Sequence, residues 1–164
     1  MALCIENIIF SRSSIDLLNQ FIIEPHKLEE LKDAKGRLWV NDTKATNIDA
    51  SLQALARYDG FKIHIILGGD DKGVSIEKVV ARAAKQGATI YAIGSNCDDI
   101  EKMGNKFGAK VFNAKELYQA VNLIDKEMNI GDVALLSPAC ASLDQFSSYA
   151  HRGDKFKEFI AKII

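Results

Sequence analysis

The sequence predicts a Rossmann-like, doubly wound α/β domain with a mostly parallel sheet and helices on both faces, and three observations carry this. From Arg37 onward, short apolar runs alternate with amphipathic helical stretches. The runs are too short and too apolar to serve as exposed edges, and strand-helix alternation needs the crossovers of a parallel sheet. The chain has 164 residues, 48% of them hydrophobic and 26% charged, which bounds it to one compact domain with an ordinary core.

Taken in order, a serine-rich start precedes Ile15, Leu18 and Phe21 at helical spacing, and Glu24-Pro25-His26-Lys27 closes that element because proline disfavours helix before it. Residues 1–24 therefore read as a lead-in helix and linker, and residues 25–164 as the domain. The start itself looks like a helix cut from something upstream. Candidate strands follow at 38–40, 63–67, 89–93, 110–112 and 133–136. Between them, Ile48, Leu52, Leu55 and Ala56 mark one helix, and Ile76, Val79, Val80, Ala83 and Ala84 mark a second that stops at Gly87. Ile100, Met103 and Phe107 before Gly108 mark a third. Asn113-Ala114-Lys115-Glu116 has capping-box spacing ahead of Leu117, Val121, Ile124 and Met128, and a last helix carries Phe156, Phe159, Ile160 and Ile163 after Gly153. No internal repeat or low-complexity segment interrupts the pattern.

Composition excludes several functions. With 21 Lys+Arg against 22 Asp+Glu there is no basic field for a polyanion, so nucleic acid is not an expected partner. The longest apolar runs fall far short of the roughly 20 residues that cross a bilayer. Cys4, Cys97 and Cys140 have neither disulfide nor zinc spacing, and no secretory signal opens the chain, so a cytoplasmic setting is expected.

In an open α/β sheet, ligands sit beyond the carboxyl ends of the strands. Three such segments are rich in functional groups: Asn41-Asp42-Thr43-Lys44-Ala45-Thr46-Asn47, Gly68-Gly69-Asp70-Asp71-Lys72-Gly73, and Ser137-Pro138-Ala139-Cys140-Ala141-Ser142-Leu143-Asp144-Gln145-Phe146. If their strands are neighbours, Lys44, Lys72, Thr46, Ser142 and two helix N-termini share one edge, which suits an anion with more than one carboxylate or phosphate. Thr46 and Ser142 also fit helix capping boxes, a role compatible with anion binding because a capped N-terminus keeps its dipole. Lys72 taken alone is a turn lysine, but the paired glycines before it suggest close backbone approach to a ligand.

Other groups point nowhere. Ser137-Pro138-Ala139-Cys140 is no nucleophile elbow, and Cys140 reads as a small buried residue. His26, His64 and His151 lack metal-ligand spacing, so no metal site is expected. Neither glycine-rich phosphate-binding motif is present.

Pro25-His26-Lys27, the three strand-end segments and Arg152-Gly153, in this order, resemble the C-terminal domain of the Mur ligase family, and within it the members that add D-glutamate to UDP-N-acetylmuramoyl-L-alanine. The resemblance covers nearly the whole chain, from about Ser11 on. It implies a longer enzyme of peptidoglycan synthesis, whose preceding central domain binds ATP and Mg2+ and phosphorylates the substrate carboxylate, after which the D-glutamate amine attacks the acyl phosphate. It further implies that Lys72 pairs with a D-glutamate carboxylate, and that Thr46 and Ser142 hold the side-chain carboxylate with Tyr149 nearby. Lys27 and Asp42 would meet the nucleotide, with Lys44 and Asp70 lining the cleft between nucleotide and amino acid. No catalytic residue of phosphoryl transfer falls in this domain, and the isolated chain is expected not to turn over. Three residues depart from the pattern: Lys27 stands where arginine is usual, losing the planar fork, Tyr149 stands where phenylalanine is usual, and Thr43 stands where serine is usual, a minor change. A stand-alone nucleotide- or small-molecule-binding module, or a related amino acid ligase, are the competing readings.

Overall fold

The computed structural model describes residues 24–163; the helix expected over residues 11–21 lies outside them. Six strands, β1 (Glu29–Lys32), β2 (Leu38–Asn41), β3 (Ile63–Gly68), β4 (Thr89–Ile93), β5 (Val111–Lys115) and β6 (Val133–Leu136), form one sheet in the order β1-β2-β6-β3-β4-β5. Every pair is parallel except β1 with β2. The helices are α1 (Ile48–Arg57), α2 (Glu77–Lys85), α3 (Cys97–Lys106), α4 (Leu117–Glu127) and α5 (Tyr149–Ile160).

The expected doubly wound architecture is present. Strand side chains alternate between two cores: Val40, Ile65, Leu67 and Leu135 pack with Leu55, Val79 and Ile100 under α1, α2 and α3. Trp39, Ile66, Tyr91 and Leu136 pack with Leu117, Ile124 and Phe156 under α4 and α5. Because both faces are covered, β3 and β6 are buried at every residue and read as apolar runs, broken in β3 by His64. Each large apolar side chain so buried contributes roughly 1.5–3 kcal/mol. Among the described residues, no helix is long and apolar enough to cross a membrane.

Three local expectations are corrected. The edge strand β1 was not anticipated, since Glu29, Glu30 and Lys32 leave Leu31 as its one apolar residue; it forms by pairing antiparallel with β2. The capping-box residues Asn113, Ala114 and Lys115 belong instead to β5, where Asn113 Nδ2 donates to Asp98 and Glu101, and α4 starts after Glu116 without a side-chain cap. An edge strand with one polar margin lacks the apolar run that marks a central one. Gly153 lies inside α5 rather than ahead of it, because a Cβ there would come within 2.4 Å of His26 Nδ1 and 2.6 Å of Thr43 Cγ2; the helix needs a glycine to sit this close to the chain leaving β2.

At the opposite edge from the strand carboxyl ends, His64 is buried between Tyr91, whose hydroxyl lies 3.0 Å from Nδ1, and Asp132, 3.2 Å from Nε2. Lys62 and Glu127 are the other charges that act on it. Burial holds the imidazole below its ordinary value, against the opposing pull of Asp132. As pH falls, the unfolded chain takes up this proton first, so His64 contributes stability above about 6.5 that is lost as pH falls towards the folded value. Unfolding free energy measured by urea denaturation is expected to decline from pH 7 to pH 5, with a shallower decline for His64→Gln; equal slopes in the two proteins would remove this role.

Candidate functional site

The strand order brings the three polar segments together, because β6 lies between β2 and β3. Backbone bonds stitch the segment after β6 to both neighbours. Gly68 N donates to Pro138 O at 2.9 Å and Ala139 N to Ala45 O at 3.0 Å, while Asp70 and Ala141 exchange bonds of 3.0 and 2.9 Å as an isolated antiparallel bridge.

A buried guanidinium completes the stitching. Arg152, on the first turn of α5, is 1% exposed. Its Nε donates to Thr43 Oγ1 at 2.8 Å and its Nη2 to Thr43 O and Cys140 O at 3.1 and 3.2 Å, with Nη1 reaching Ala141 O at 3.4 Å. Thr43 Oγ1 in turn donates to Tyr149 O at 3.0 Å. One side chain thus holds the segment after β2 against the segment after β6. Burial pushes the Arg152 guanidinium down to about 10, which leaves it charged at neutral pH.

The paired glycines serve the chain rather than a ligand. A Cβ at Gly68 would sit 2.1 Å from Ile93 O, and one at Gly69 2.1 Å from Ala141 O, so these residues permit strand ends to approach each other. The polar side chains beside them are tied in as well. Asn96 Oδ1 accepts from Gly69 N, and Asn96 Nδ2 donates to Asp71 Oδ2 and to Cys140 Sγ. The capping expectations also shift. Asn47, not Thr46, caps α1 by accepting from Ala50 N, and Ser142 opens a turn rather than a helix, since Ser148 caps α5. Thr46 is exposed and free of that duty, whereas Ser142 is 3% exposed.

Among the described residues, two of the hollows along this edge take in residues expected from the sequence. The larger, about 370 Å³, is lined by Thr46 and the start of α1, by Asp70, Asp71, Lys72 and Val74, by Ile76 and Lys78, and by residues 139–141 at its base. It collects Thr46, Lys72 and Asp70 from the expected residues, and adds Asp71 from the same strand-end segment and Asp49 and Lys78 from outside the three segments. Lys72 has a left-handed backbone, φ 53°, supported by its N–H donating to Asp70 Oδ1 at 2.9 Å. The smaller hollow, about 180 Å³, gathers Lys27, Asp42 and Lys44 with Glu24, Leu28 and Gln53. Ser142 and Tyr149 line neither hollow; the Tyr149 ring is 6.4 Å from that of His26, edge to face.

The smaller hollow is already charge-balanced. Lys44 pairs with Glu24, and this bond raises the lysine and lowers the glutamate from their ordinary values. Asp42 is 5% exposed, and burial pushes its carboxyl up despite bonds accepted from Ser137 Oγ at 2.8 Å and Leu28 N at 3.2 Å. Each oxygen has one protein donor, so acceptor capacity remains for a further hydroxyl or N–H donor. At the base of the larger hollow, burial raises the Cys140 thiol to about 11, which fits a packed residue rather than a nucleophile. Among the described residues no group of three or more His, Cys, Asp or Glu side chains converges to hold a metal ion.

A family model described as the glutamate ligase domain of Mur ligases matches residues 27–140, the span that holds most of the lining of both hollows. The chain belongs to the Mur ligase family. It is 50% identical over 163 residues to UDP-N-acetylmuramoylalanine–D-glutamate ligase of Campylobacter jejuni and 46% identical over 153 residues to that of Helicobacter pylori, covering 99% and 93% of this chain. It spans about 40% of the first relative's length and 36% of the second's. A solved murein peptide ligase from Psychrobacter arcticus shares the fold at 11% identity, with a TM-score of 0.56 over 85% of this chain and 31% of the other.

In this Mur ligase domain the Arg152 clamp orders both segments that bear the expected binding residues, and removing it takes the guanidinium donor from the buried Thr43 O and Cys140 O, while Ala141 O keeps the bond from Asp70 N. Arg152→Ala is expected to destabilise the fold by about 3 kcal/mol in urea denaturation, with Arg152→Lys recovering only part, because an ammonium does not reproduce the planar fork. A loss below about 1 kcal/mol for the alanine variant would mean that the two segments hold together without it.

Proposed function

We propose that this chain is the C-terminal, amino acid-binding domain of an ATP-dependent amide ligase that adds D-glutamate to UDP-N-acetylmuramoyl-L-alanine in cytoplasmic peptidoglycan synthesis. The observation that carries the reading is the meeting of Thr46 and Lys72 in one cleft at the carboxyl edge of the sheet, in a chain that is half identical to a ligase of that name.

In this reading Lys72 receives one carboxylate of D-glutamate, and the Thr46 hydroxyl donates to the other. Both replace water around charged oxygens, and charge-assisted bonds of this kind are stronger than neutral ones. Ser142 and Tyr149 complete the amino acid site when the remainder of the enzyme closes over the edge. Lys27 and Asp42 in the smaller hollow meet the base and ribose of ATP, and Asp70 stands on the cleft wall that supports Lys72. Lys44, by exchanging Glu24 for a phosphate, lies between nucleotide and amino acid. ATP phosphorylation of the muramoyl-alanine carboxylate, with Mg2+, belongs to the longer protein. The bound amine then forms the C–N bond, the C–O bond to phosphate breaks, and phosphate leaves with the electron pair. This domain's contribution is to present the amine in position, the effect that converts a bimolecular step into a unimolecular one.

The test is D-glutamate-dependent phosphate release from ATP and UDP-N-acetylmuramoyl-L-alanine. The full-length enzyme should turn over and this chain alone should not; release by the chain alone would overturn the reading. Lys72→Ala in the full-length enzyme should lower kcat/KM for D-glutamate about 100-fold, the effect of deleting a charged hydrogen-bond donor. A variant as efficient as the parent would move the amino acid site elsewhere.

A further inference from the structure

Lys72 stands on an exposed turn, and what holds that turn lies behind it, on the chain leaving β4. Asn96 occupies the residue before α3, where an asparagine ordinarily caps the helix, yet its side chain makes no cap bond. It is 7% exposed and spends its carboxamide on the neighbouring strand ends instead. Gly69 N–H donates to Asn96 Oδ1 at 3.1 Å, which fixes the orientation of the amide and turns Nδ2 to Asp71 Oδ2 at 3.3 Å and Cys140 Sγ at 3.4 Å. The other Asp71 oxygen, Oδ1, accepts from Gly73 N at 2.8 Å.

Asn96 thus grips the chain directly at Gly69 and, through the Asp71 carboxylate, on both sides of Lys72. Its neighbour adds to the hold: Ser95 Oγ donates to Gly69 O at 3.0 Å, and Ser95 N–H donates to Asp144 Oδ2 at 2.8 Å, which ties the same turn to the segment after β6. Lys72 itself has a left-handed backbone, φ 53°, a conformation that a non-glycine residue keeps when its surroundings enforce it. We propose that Asn96 is a positioning residue of the amino acid site, which acts through Asp71 to set where the Lys72 ammonium stands. A loose lysine turn has to be ordered at each binding event and loses affinity by that cost, whereas a turn held in advance does not.

This inference rests on the functional reading above and is tested in the same full-length enzyme with Asn96→Asp, Asp71→Asn and the double variant. Asn96→Asp sets two carboxylates against each other, and Asp71→Asn leaves either Gly73 N–H or Asn96 Nδ2 facing an amide NH2 group. Each should raise KM for D-glutamate about tenfold, the scale of a hydrogen bond to a charged group, with KM for ATP unchanged. Removing a carboxylate from a cleft that takes an anion would by charge alone lower that KM, so a rise in Asp71→Asn reports position. The double variant exchanges donor and acceptor, remakes the link and should return KM towards the parent's. A merely structural role would lower kcat and thermal stability together and raise both KM values alike. Should Asn96→Asp fail to fold, Asp71→Asn on the exposed turn decides alone. An active parent with an unchanged D-glutamate KM in Asp71→Asn, or a double variant no better than the singles, overturns the role of Asn96. A parent without D-glutamate-dependent turnover overturns the functional reading, and this inference with it.

Discussion

The geometry of the site depends on a buried cation that meets oxygens of the main chain and a hydroxyl. Arg152 spends its donors on Thr43, Cys140 and Ala141, and in doing so fixes the segment after β2 to the segment after β6. Burying a guanidinium without a counter-carboxylate is costly, and only well-directed carbonyl dipoles offset the lost water. Such an arrangement has little tolerance for drift, because any displaced carbonyl leaves both partners unsatisfied. The charge has an electrostatic consequence as well. It stands behind Cys140 and Ala141 at the base of a cleft lined by three aspartates, where a low-dielectric surrounding lets it favour an incoming carboxylate.

Around that clamp the backbone does the fixing and the exposed side chains remain available. Gly68, Gly69 and Gly153 are places where the chain approaches itself too closely for a Cβ, so strand ends and helix are drawn together at the edge. Asn96 and the Asp70–Ala141 bridge absorb the polar groups that such proximity creates. Thr46, Lys72 and Lys78 stand on this frame without being consumed by it. The division is physically sensible: a binding group already committed to the fold has nothing left to offer a ligand, and a frame made of mobile groups cannot position one.

The two hollows differ in their state of charge. The larger has unpaired lysines, whereas the smaller is closed on itself by the pair between Lys44 and Glu24. An anion entering the smaller hollow must displace a carboxylate, and one entering the larger must only shed water. Asp42 in the smaller hollow already accepts from Ser137 and Leu28, which orients it towards any further donor rather than exhausting it. Lys27 offers a single charged point there, not a planar fork, so nucleotide contact through it would depend on charge more than on shape.

Local pattern was enough to read the architecture. The apolar runs of β3 and β6 and the helical spacing of Leu55, Val79 and Ile100 are set by neighbouring residues, and so survive in any correct fold. The residues at strand ends are likewise visible as motifs, and Thr46, Lys72 and Asp70 among them share a cleft. Less was legible where one local signal served two ends. Asn113 to Glu116 has the letters of a cap and is mostly a strand, and Asn47 took the capping role that Thr46 also fitted. What the tertiary structure alone decided was adjacency. That β6 inserts between β2 and β3, that Arg152 reaches Thr43, and that Thr46 and Lys72 line one cleft all depend on pairing between residues far apart in the chain. Periodicity is a property of a few consecutive residues, whereas the order of strands in a sheet is a choice among long-range pairings with similar local patterns, settled only by the packing of the whole.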